Sequence, residues 1–222
     1  APGRPPGGMA GSAVPRWPPP GAPAFAAPHP ARPDAARLVM VGTGSLAPFL
    51  VKAHAAVRPI TEVAVWGRDP VKAAALVERL EGEGIAAGVA TDLEAAVRGA
   101  DIVSCATLSK APLVCGDWLR PGAHLDLVGA FRPDMRESDD AAVRRASLFV
   151  DTRAGALKEG GDLADPIARG VVAAADIRAD LAELVAGRHP GRSAAAEVRL
   201  FKSVGPAIEA LAAARLVFSR LG

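Results

Sequence analysis

The sequence predicts an α/β fold, a doubly wound parallel sheet with helices on both faces. The first observation behind this prediction is that short apolar runs alternate with helical patterns from Arg37 to Asp151. The second is that the first run, residues 38–41, ends in a glycine-rich turn and passes at once into a helical pattern. Such alternation is typical of βαβ units, whose crossovers are right-handed. The carboxyl ends of the first, fourth and fifth strands should therefore surround one crevice.

Each element has its own signal in the sequence. Short apolar runs bounded by turn residues predict six strands, at residues 38–41, 62–67, 85–89, 101–106, 124–129 and 147–151. Periodic apolar residues predict a helix directly after the first strand and further helices at 70–80, 92–97 and 138–146. Asp69 is the predicted N-cap of the helix at 70–80, and Pro70 occupies its first position, where a missing N–H costs nothing.

The pattern changes after Gly160. Residues 176–184 and 206–221 are predicted to be helical, and only 196–202 resembles a strand. The last of these helices is rich in alanine and carries an apolar face that needs a partner to pack against. Residues 161–222 are therefore expected to belong to a second substructure, or to return into one.

The first 33 residues differ in composition from the rest of the chain. They contain eleven of the twenty prolines and five glycines. Proline lacks an N–H donor and fixes φ, so the segment is predicted to be disordered and not to be a signal peptide. The chain begins with Ala1 instead of methionine, which indicates a fragment or a frameshift upstream and leaves its activity open.

Composition excludes several classes of function. The 222 residues carry a net charge of +2 and no basic stripe interleaved with aromatic residues, so nucleic acid is not an expected partner. No apolar run is long enough to span a membrane. The two cysteines, Cys105 and Cys115, form neither a disulfide framework nor a zinc motif. The expected location is the cytoplasm, and no metal is expected.

The turn after the first strand has the pattern G-x-G-x-x-A, between a strand and a helix. Gly42 would permit the tight turn, Gly44 would let a pyrophosphate approach the backbone, and Ala47 would keep helix and strand close. The helix start at Ser45 and Leu46 offers free N–H groups to phosphate. The pattern predicts a dinucleotide-binding Rossmann domain, with an ordinary glycine-rich βα turn as the alternative.

The end of the second strand bears on the choice of cofactor. Arg68 follows this strand, at the place where an acidic residue would favour NAD(H) and an arginine suits the 2′-phosphate of NADP(H). Lys72 could add positive charge, whereas Asp69 is accounted for by its N-cap role. NADPH is the predicted cofactor, NADH remains possible, and Arg68 could instead be an ordinary solvated arginine.

Three further motifs carry a resemblance to a known family. They are VGAFRPDMRE at 128–137, VDTRAGALKEGGDL at 150–163 and FKSVG at 201–205. Together they resemble the ornithine cyclodeaminase/μ-crystallin family, from about Arg37 to the end of the chain. The resemblance implies a Rossmann domain at 34–160 and, at 161–222, the C-terminal part of a substrate and dimerisation domain. It also implies a homodimer, and it places the residues that anchor the substrate in an N-terminal half that residues 1–33 do not resemble.

One position departs from the ornithine cyclodeaminases of this family. Phe131 stands where those enzymes carry a catalytic aspartate, and phenylalanine cannot transfer a proton. The segments at 44–50 and 104–109 are similar to the Δ1-pyrroline-2-carboxylate reductases of the family. The resemblance therefore implies NADPH-dependent reduction of a cyclic imino acid to L-proline, or to L-pipecolate from the six-membered imine.

The resemblance also assigns roles to individual residues. The predicted cofactor-binding residues are Gly42, Gly44, Ser45, Leu46, Arg68, Asp69, Lys72, Thr107, Leu108, Val128, Gly129, Phe131 and Ser203. Among them, Ser203 is implied to contact the nicotinamide carboxamide. Glu159, Lys202 and Gly205 are implied to shape the substrate pocket, and no catalytic residue can be named.

Two alternatives remain open from the sequence. One is an amino-acid dehydrogenase or cyclodeaminase of the same family, although Phe131 argues against the cyclodeaminase. The other is a chain without catalysis, either a ligand binder that uses NADPH, as μ-crystallin does, or an inactive truncated product.

Overall fold

The computed structural model describes residues 31–205, and these form an eight-stranded sheet in which every pairing is parallel. The strands are β1 (Arg37–Val41), β2 (Glu62–Trp66), β3 (Ala87–Val89), β4 (Ile102–Cys105), β5 (His124–Leu127), β6 (Ser147–Val150), β7 (Ile177–Asp180) and β8 (Arg199–Lys202). Their spatial order is β3-β2-β1-β4-β5-β8-β6-β7. The order runs outward in both directions from β1 and β4, which makes the sheet doubly wound.

Seven α-helices are described among these residues. They are α1 (Ala47–Val57), α2 (Pro70–Gly82), α3 (Leu93–Gly99), α4 (Asp140–Arg145), α5 (Arg153–Lys158), α6 (Gly161–Ala168) and α7 (Leu181–Val185). Asp69 caps α2 as predicted, because its Oδ1 accepts the N–H of Val71 at 3.0 Å and of Lys72 at 3.3 Å. None of the helices formed by residues 31–205 combines the length and apolar character needed to cross a membrane.

Alternating side chains of the central strands form two hydrophobic layers, one on each face of the sheet. Leu38 and Met40 of β1 pack with Leu50 of α1 on one face, and Val39 and Val41 pack into the cluster on the other. All five side chains are at most 2% exposed. Burial on both faces is what the near-continuous apolar runs of the sequence require, and it confirms the predicted fold class.

The region after Gly160 differs from the prediction. Residues 176–184 were expected to form one helix, but 177–180 form β7, which pairs with β6, and only 181–185 are helical. The reason is the burial of Ile177 and Ala179 in the hydrophobic clusters around β6, while Arg178 between them is exposed. Both β7 and β8 extend the same sheet as β1, so this part of 161–222 returns into it. The domain boundary at residue 160 stays a prediction.

The structure also moves three boundaries. The third strand begins at Ala87 instead of Ile85. The packed part of the chain begins by residue 31, before the predicted limit of the Pro/Gly-rich segment at 33, since Ala31 is 2% exposed and the Arg32 guanidinium donates to Asp101 at 2.6 Å. The predicted strand at 196–202 is reduced to β8. The predicted helix at 206–221 and the predicted disorder of residues 1–30 lie outside the described residues.

Candidate functional site

The carboxyl ends of β1, β2 and β4 open into a cleft of about 370 Å³. Its walls combine the glycine-rich turn, the end of β2 and the loop after β4. It is lined by Gly42, Thr43, Gly44, Trp66, Gly67, Arg68, Asp69, Lys72, Ala106, Thr107, Leu108 and Leu113. The cleft therefore brings together seven of the predicted cofactor-binding residues: Gly42, Gly44, Arg68, Asp69, Lys72, Thr107 and Leu108.

The two glycines of the turn differ in what constrains them. Gly42 has a φ of +119°, and a Cβ on it would lie 2.6 Å from the carbonyl oxygen of Ala106. The chain itself therefore requires glycine at this position. Gly44 has no such constraint, because a Cβ there would meet no atom within 4 Å. The space beside Gly44 is therefore open, and a ligand could approach the backbone there.

The start of α1 is suited to binding an anion. Leu46 occupies the N-cap position and gives the helix no side-chain hydrogen bond. The N–H of Ala47 donates to the carbonyl oxygen of Gly44 at 3.1 Å, that of Phe49 donates to Leu46 at 3.0 Å, and Pro48 has no N–H. An anion would therefore meet the N–H groups of Ser45 and Leu46, which donate to no acceptor among the described hydrogen bonds, beside the positive end of the helix dipole. Ala47 is fully buried, which places the helix directly against the sheet. Ser45 and Leu46 themselves do not line the cleft, and their predicted role in cofactor binding stays a prediction.

The end of β2 carries two exposed cations and one engaged carboxylate. Asp69 is occupied by its hydrogen bonds to the first turn of α2, and its other oxygen lies 3.8 Å from the Lys72 ammonium. Arg68 and Lys72 are exposed at the edge of the cleft. An anionic group bound here would meet positive charge, and the carboxylate beside it is already committed to the helix.

On the other side of the cleft, Glu137 connects the loop that follows β4 to the loop that follows β5, a role that the sequence did not indicate. Its Oε1 accepts the N–H of Thr107 at 2.6 Å and the Thr107 hydroxyl at 2.8 Å. Its Oε2 accepts the N–H of Gly129 at 2.7 Å and of Ala130 at 3.3 Å. Because these loops follow β4 and β5, one buried carboxylate connects the β4 loop, which lines the cleft, to the β5 loop, which does not.

A second buried carboxylate and a buried ammonium lie next to Glu137. Asp162 Oδ1 accepts the N–H of Glu137 at 2.7 Å and of Ser138 at 3.0 Å, and its Oδ2 lies 3.5 Å from the Lys202 ammonium. Glu137, Asp162 and Lys202 are all fully buried. Burial, with the Asp162 charge, raises the pKa of Glu137 to about 7, although the Lys202 ammonium and the Thr107 hydrogen bonds act in the opposite direction.

The loop after β8 is held by Asp151. Asp151 Oδ2 accepts the Ser203 hydroxyl at 3.1 Å, the N–H of Val204 at 2.6 Å and the N–H of Gly205 at 3.0 Å. Gly205 has a φ of +73°, a conformation that favours glycine. Ser203 is itself fully buried and its hydroxyl donates to Asp151, so its predicted contact with the nicotinamide carboxamide stays a prediction.

The remaining predicted residues do not line the cleft of about 370 Å³. Val128 and Gly129 are buried behind it, and Phe131 is 45% exposed on the loop after β5. Glu159 is exposed at the end of α5, while the Lys202 ammonium points into the buried pair with Asp162. Lys202 therefore lies beneath the surface in the described residues, and its predicted role in a substrate pocket stays a prediction.

His54 is part of a separate buried group between α1 and the sheet. Its Nε2 lies 3.3 Å from Asp126 Oδ2, which also accepts the Ser104 hydroxyl at 2.8 Å. All three residues are fully buried, so they have no access to the cleft. Among residues 31–205, no group of three or more histidine, cysteine or acidic side chains is arranged to hold a metal ion.

Comparison with known proteins places these features in a family. Residues 20–222 match the sequence profile of the Ornithine cyclodeaminase/mu-crystallin family. The chain is 46% identical over 178 residues to a Delta(1)-pyrroline-2-carboxylate reductase from Paracoccus denitrificans, covering 80% of this chain and 56% of that protein. It is 39% identical over 157 residues to the ketimine reductase mu-crystallin of Mus musculus, covering 71% of this chain and 46% of that protein.

A solved structure shows the same fold. The Delta(1)-pyrroline-2-carboxylate reductase of Thermococcus litoralis, in complex with NADH and L-proline, superposes with a TM-score of 0.91 at 34% identity and covers 94% of this chain and 65% of that chain. The chain thus spans between about half and two thirds of the length of these relatives. The chain belongs to the ornithine cyclodeaminase/mu-crystallin family.

Proposed function

We propose that the chain supplies the cofactor-binding part of an NADPH-dependent reductase of cyclic imino acids. The substrate would be Δ1-pyrroline-2-carboxylate, and Δ1-piperideine-2-carboxylate if the six-membered ring also fits, with L-proline or L-pipecolate as products. The observation that carries the proposal is the open cleft between the Gly42–Gly44 turn and Thr107, in a chain that is 46% identical to a reductase of this kind. A cytoplasmic location and a homodimer are further predictions of the same resemblance.

The residues of the cleft fit a dinucleotide. The open space beside Gly44 and the N–H groups of Ser45 and Leu46, which precede α1 and donate to no acceptor among the described hydrogen bonds, suit the pyrophosphate. Thr107 and Leu108 would flank the nicotinamide half. The carboxamide contact that the resemblance implies for Ser203 stays a prediction, since Ser203 is fully buried. When bound, the cofactor would supply a hydride to the C=N carbon, and the task of the protein would be to position it.

The end of β2 supports NADPH as the cofactor. An acidic residue that binds the ribose 2′-hydroxyl would favour NADH, but Asp69 already accepts two backbone N–H groups of α2. Arg68 and Lys72 are both exposed at the cleft, where a guanidinium and an ammonium would bind a 2′-phosphate.

Replacing Arg68 by serine or aspartate is therefore expected to weaken NADPH binding more than NADH binding. The lost charge-assisted hydrogen bonds correspond to about 1.5–3 kcal/mol, which is roughly ten-fold or more in affinity. Titrations of tryptophan fluorescence with each cofactor measure the change, with Arg144→Ser, an exposed arginine on α4, as control. Equal affinity of the unmodified chain for both cofactors would contradict the assignment of Arg68.

The reductase activity is tested by joining residues 37–222 to the N-terminal half of the Paracoccus relative. The fusion should oxidise NADPH when Δ1-pyrroline-2-carboxylate is added, and the absorbance of the reduced nicotinamide reports the reaction. Residues 1–222 alone serve as the comparison. A fusion that folds and binds NADPH but does not reduce the imine would overturn the proposed substrate class.

The same fusion separates the reductase from an ornithine cyclodeaminase. Phe131, at the position of the catalytic aspartate of the cyclodeaminases, has no ionisable group. We expect no proline and no ammonia from L-ornithine with NAD⁺, even at high enzyme concentration. Detection of both products, by an ammonia assay and by chromatography, would show that another group performs the proton transfer.

A further inference from the structure

The carboxylate of Glu137 is the direct connection between the loop after β4 and the loop after β5. It accepts four hydrogen bonds, two from Thr107 and one each from Gly129 and Ala130. We call this group of four residues the loop bridge. Thr107 also forms part of the cleft wall, so the loop bridge extends from the buried interior to the surface that a ligand would contact.

The geometry points to Glu137 as a positioning residue that fixes the nicotinamide-facing wall of the cleft, without itself touching the cofactor. The inference rests on the proposed function, because it takes the Thr107 side of the cleft to be the nicotinamide side. Glu137 is fully buried, so it would act through Thr107 and the β5 loop and not through contact with the cofactor.

The arrangement requires a carboxylate and not merely a polar side chain. Both oxygens face two donors each, and a glutamine would present its own N–H₂ group to one of the two pairs. The two loops also approach closely here, because a Cβ on Gly129 would lie 2.3 Å from Glu137 Oε1 and 2.1 Å from the carbonyl oxygen of Thr107. Glu137 fills the space between the two loops with four hydrogen bonds.

Asp162 holds Glu137 in this position. It accepts the N–H groups of Glu137 and Ser138, which fixes the backbone from which the Glu137 side chain extends. The Lys202 ammonium, 3.5 Å from Asp162, supplies positive charge next to the two carboxylates. One buried group of charges thus links the loops after β4 and β5 to Lys202, the last residue of β8.

The loop bridge acts on only one end of the cleft. Arg68 and Lys72 lie at the end of β2, beyond β1 from the loop bridge in the strand order, and neither contacts Glu137 among the described hydrogen bonds. Loss of the Glu137 carboxylate should therefore disturb the nicotinamide half of the site and spare the adenosine half. A general loss of structure would disturb both halves equally.

The experiment compares two ligands on residues 1–222. Calorimetric titration gives the dissociation constants of NADPH and of adenosine 2′,5′-bisphosphate, which contains the adenosine 2′-phosphate but no nicotinamide. For Glu137→Gln we expect NADPH to bind at least about ten-fold more weakly, the equivalent of ~1.4 kcal/mol. The affinity for adenosine 2′,5′-bisphosphate should change by less than about two-fold.

Two further variants make the outcome decisive. Asp101→Asn is the control, because Asp101 is also a buried carboxylate that accepts two backbone N–H groups, from Ala36 and Arg37, but at the amino ends of β1 and β4, away from the cleft. It also pairs with Arg32 and Arg120, neither of which lines the cleft. Asp101→Asn should change neither affinity. Glu137→Asp keeps the charge but is one methylene shorter, and it replaces Glu137→Gln if that variant does not fold, with the same expected selectivity.

The possible results separate the inference from the proposed function. If the unmodified chain binds neither ligand, the proposed function fails. If the unmodified chain binds both and the Glu137 variants bind NADPH as tightly as before, the positioning role is wrong. A parallel loss of both ligands by a folded Glu137 variant would also overturn it, since that result indicates a structural role alone.

Discussion

Replacing Lys202 by methionine is expected to lower the free energy of unfolding by about 3–5 kcal/mol at pH 8, because removing one partner leaves buried charge without compensation. The Lys202 ammonium is fully buried and lies 3.5 Å from Asp162, which in turn is hydrogen bonded to the backbone of Glu137. Methionine has a similar volume, so little of the change should come from packing. Urea denaturation, monitored by tryptophan fluorescence, measures this change in the free energy of unfolding.

The effect of Lys202→Met should depend on pH. The pKa of Glu137 is raised from an ordinary 4.5 to about 7 in the folded protein. The folded state thus holds a proton that the unfolded chain releases, so this group makes the protein less stable as pH rises from 4.5 to 7. The positive charge of the Lys202 ammonium favours the ionised form of Glu137 and so limits this loss of stability. The difference in the free energy of unfolding between the unmodified protein and Lys202→Met should therefore be smaller at pH 5 than at pH 8.

A surface lysine provides the control for this experiment. Lys52 pairs with Glu83 at 2.8 Å, but its side chain is 40% exposed. Lys52→Met should change the free energy of unfolding by no more than about 1 kcal/mol, with little dependence on pH. If Lys202→Met behaved like Lys52→Met at pH 8, the buried group of charges would not have the energetic role assigned to it.

Replacing Gly44 by alanine is expected to weaken cofactor binding strongly while leaving the fold intact. A Cβ at Gly44 meets no atom of the chain within 4 Å, and this glycine is not among those with positive φ. The free energy of unfolding should thus stay within about 0.5 kcal/mol. The added methyl group would occupy the space through which a pyrophosphate approaches the backbone, so affinity should fall by roughly a hundred-fold, ~2.7 kcal/mol, or more.

Substitutions at two other glycines test whether a loss of binding without a loss of stability is specific to Gly44. Gly42→Ala should reduce both stability and binding, since it combines a φ of +119° with a contact of 2.6 Å to Ala106. Gly99→Ala, at the end of α3 and with no atom near its Cβ, should affect neither. Unchanged NADPH affinity in Gly44→Ala, measured by calorimetry, would show that the pyrophosphate does not bind at this turn.

Much of the fold could be predicted because, in most elements, the pattern of neighbouring residues agrees with the burial of those residues in the structure. The βα turn at Gly42, the buried alternation of β1 and the Asp69 cap each follow from a few neighbouring residues. The strand β7 was not predicted, because the local sequence and the final structure disagree at these residues. Its residues Ile-Arg-Ala-Asp are followed by the helix-forming sequence of α7, and only pairing with β6, distant in sequence, determines that they are extended.

The site was predictable where function depends on backbone geometry and not where it depends on distant partners. The cleft contains the glycines and the two cations that the sequence indicated. Glu137 and Asp162 were not recognised, because a carboxylate in a loop is usually solvated, and nothing local reveals that four N–H and O–H donors converge on Glu137. A buried acidic residue next to a glycine-rich loop is the kind of signal that only three-dimensional contacts provide.

The place of β8 in the sheet also has a consequence for how the protein is made. Of the described strands, β8 is the last to leave the ribosome, yet it lies between β5 and β6 and pairs with both. Until residues 199–202 are synthesised, β1–β5 and the β6–β7 pair can form only as separate pieces, each with an open edge that another molecule could pair with. Closing such long-range pairings is slow, so aggregation during synthesis should compete with folding until β8 inserts.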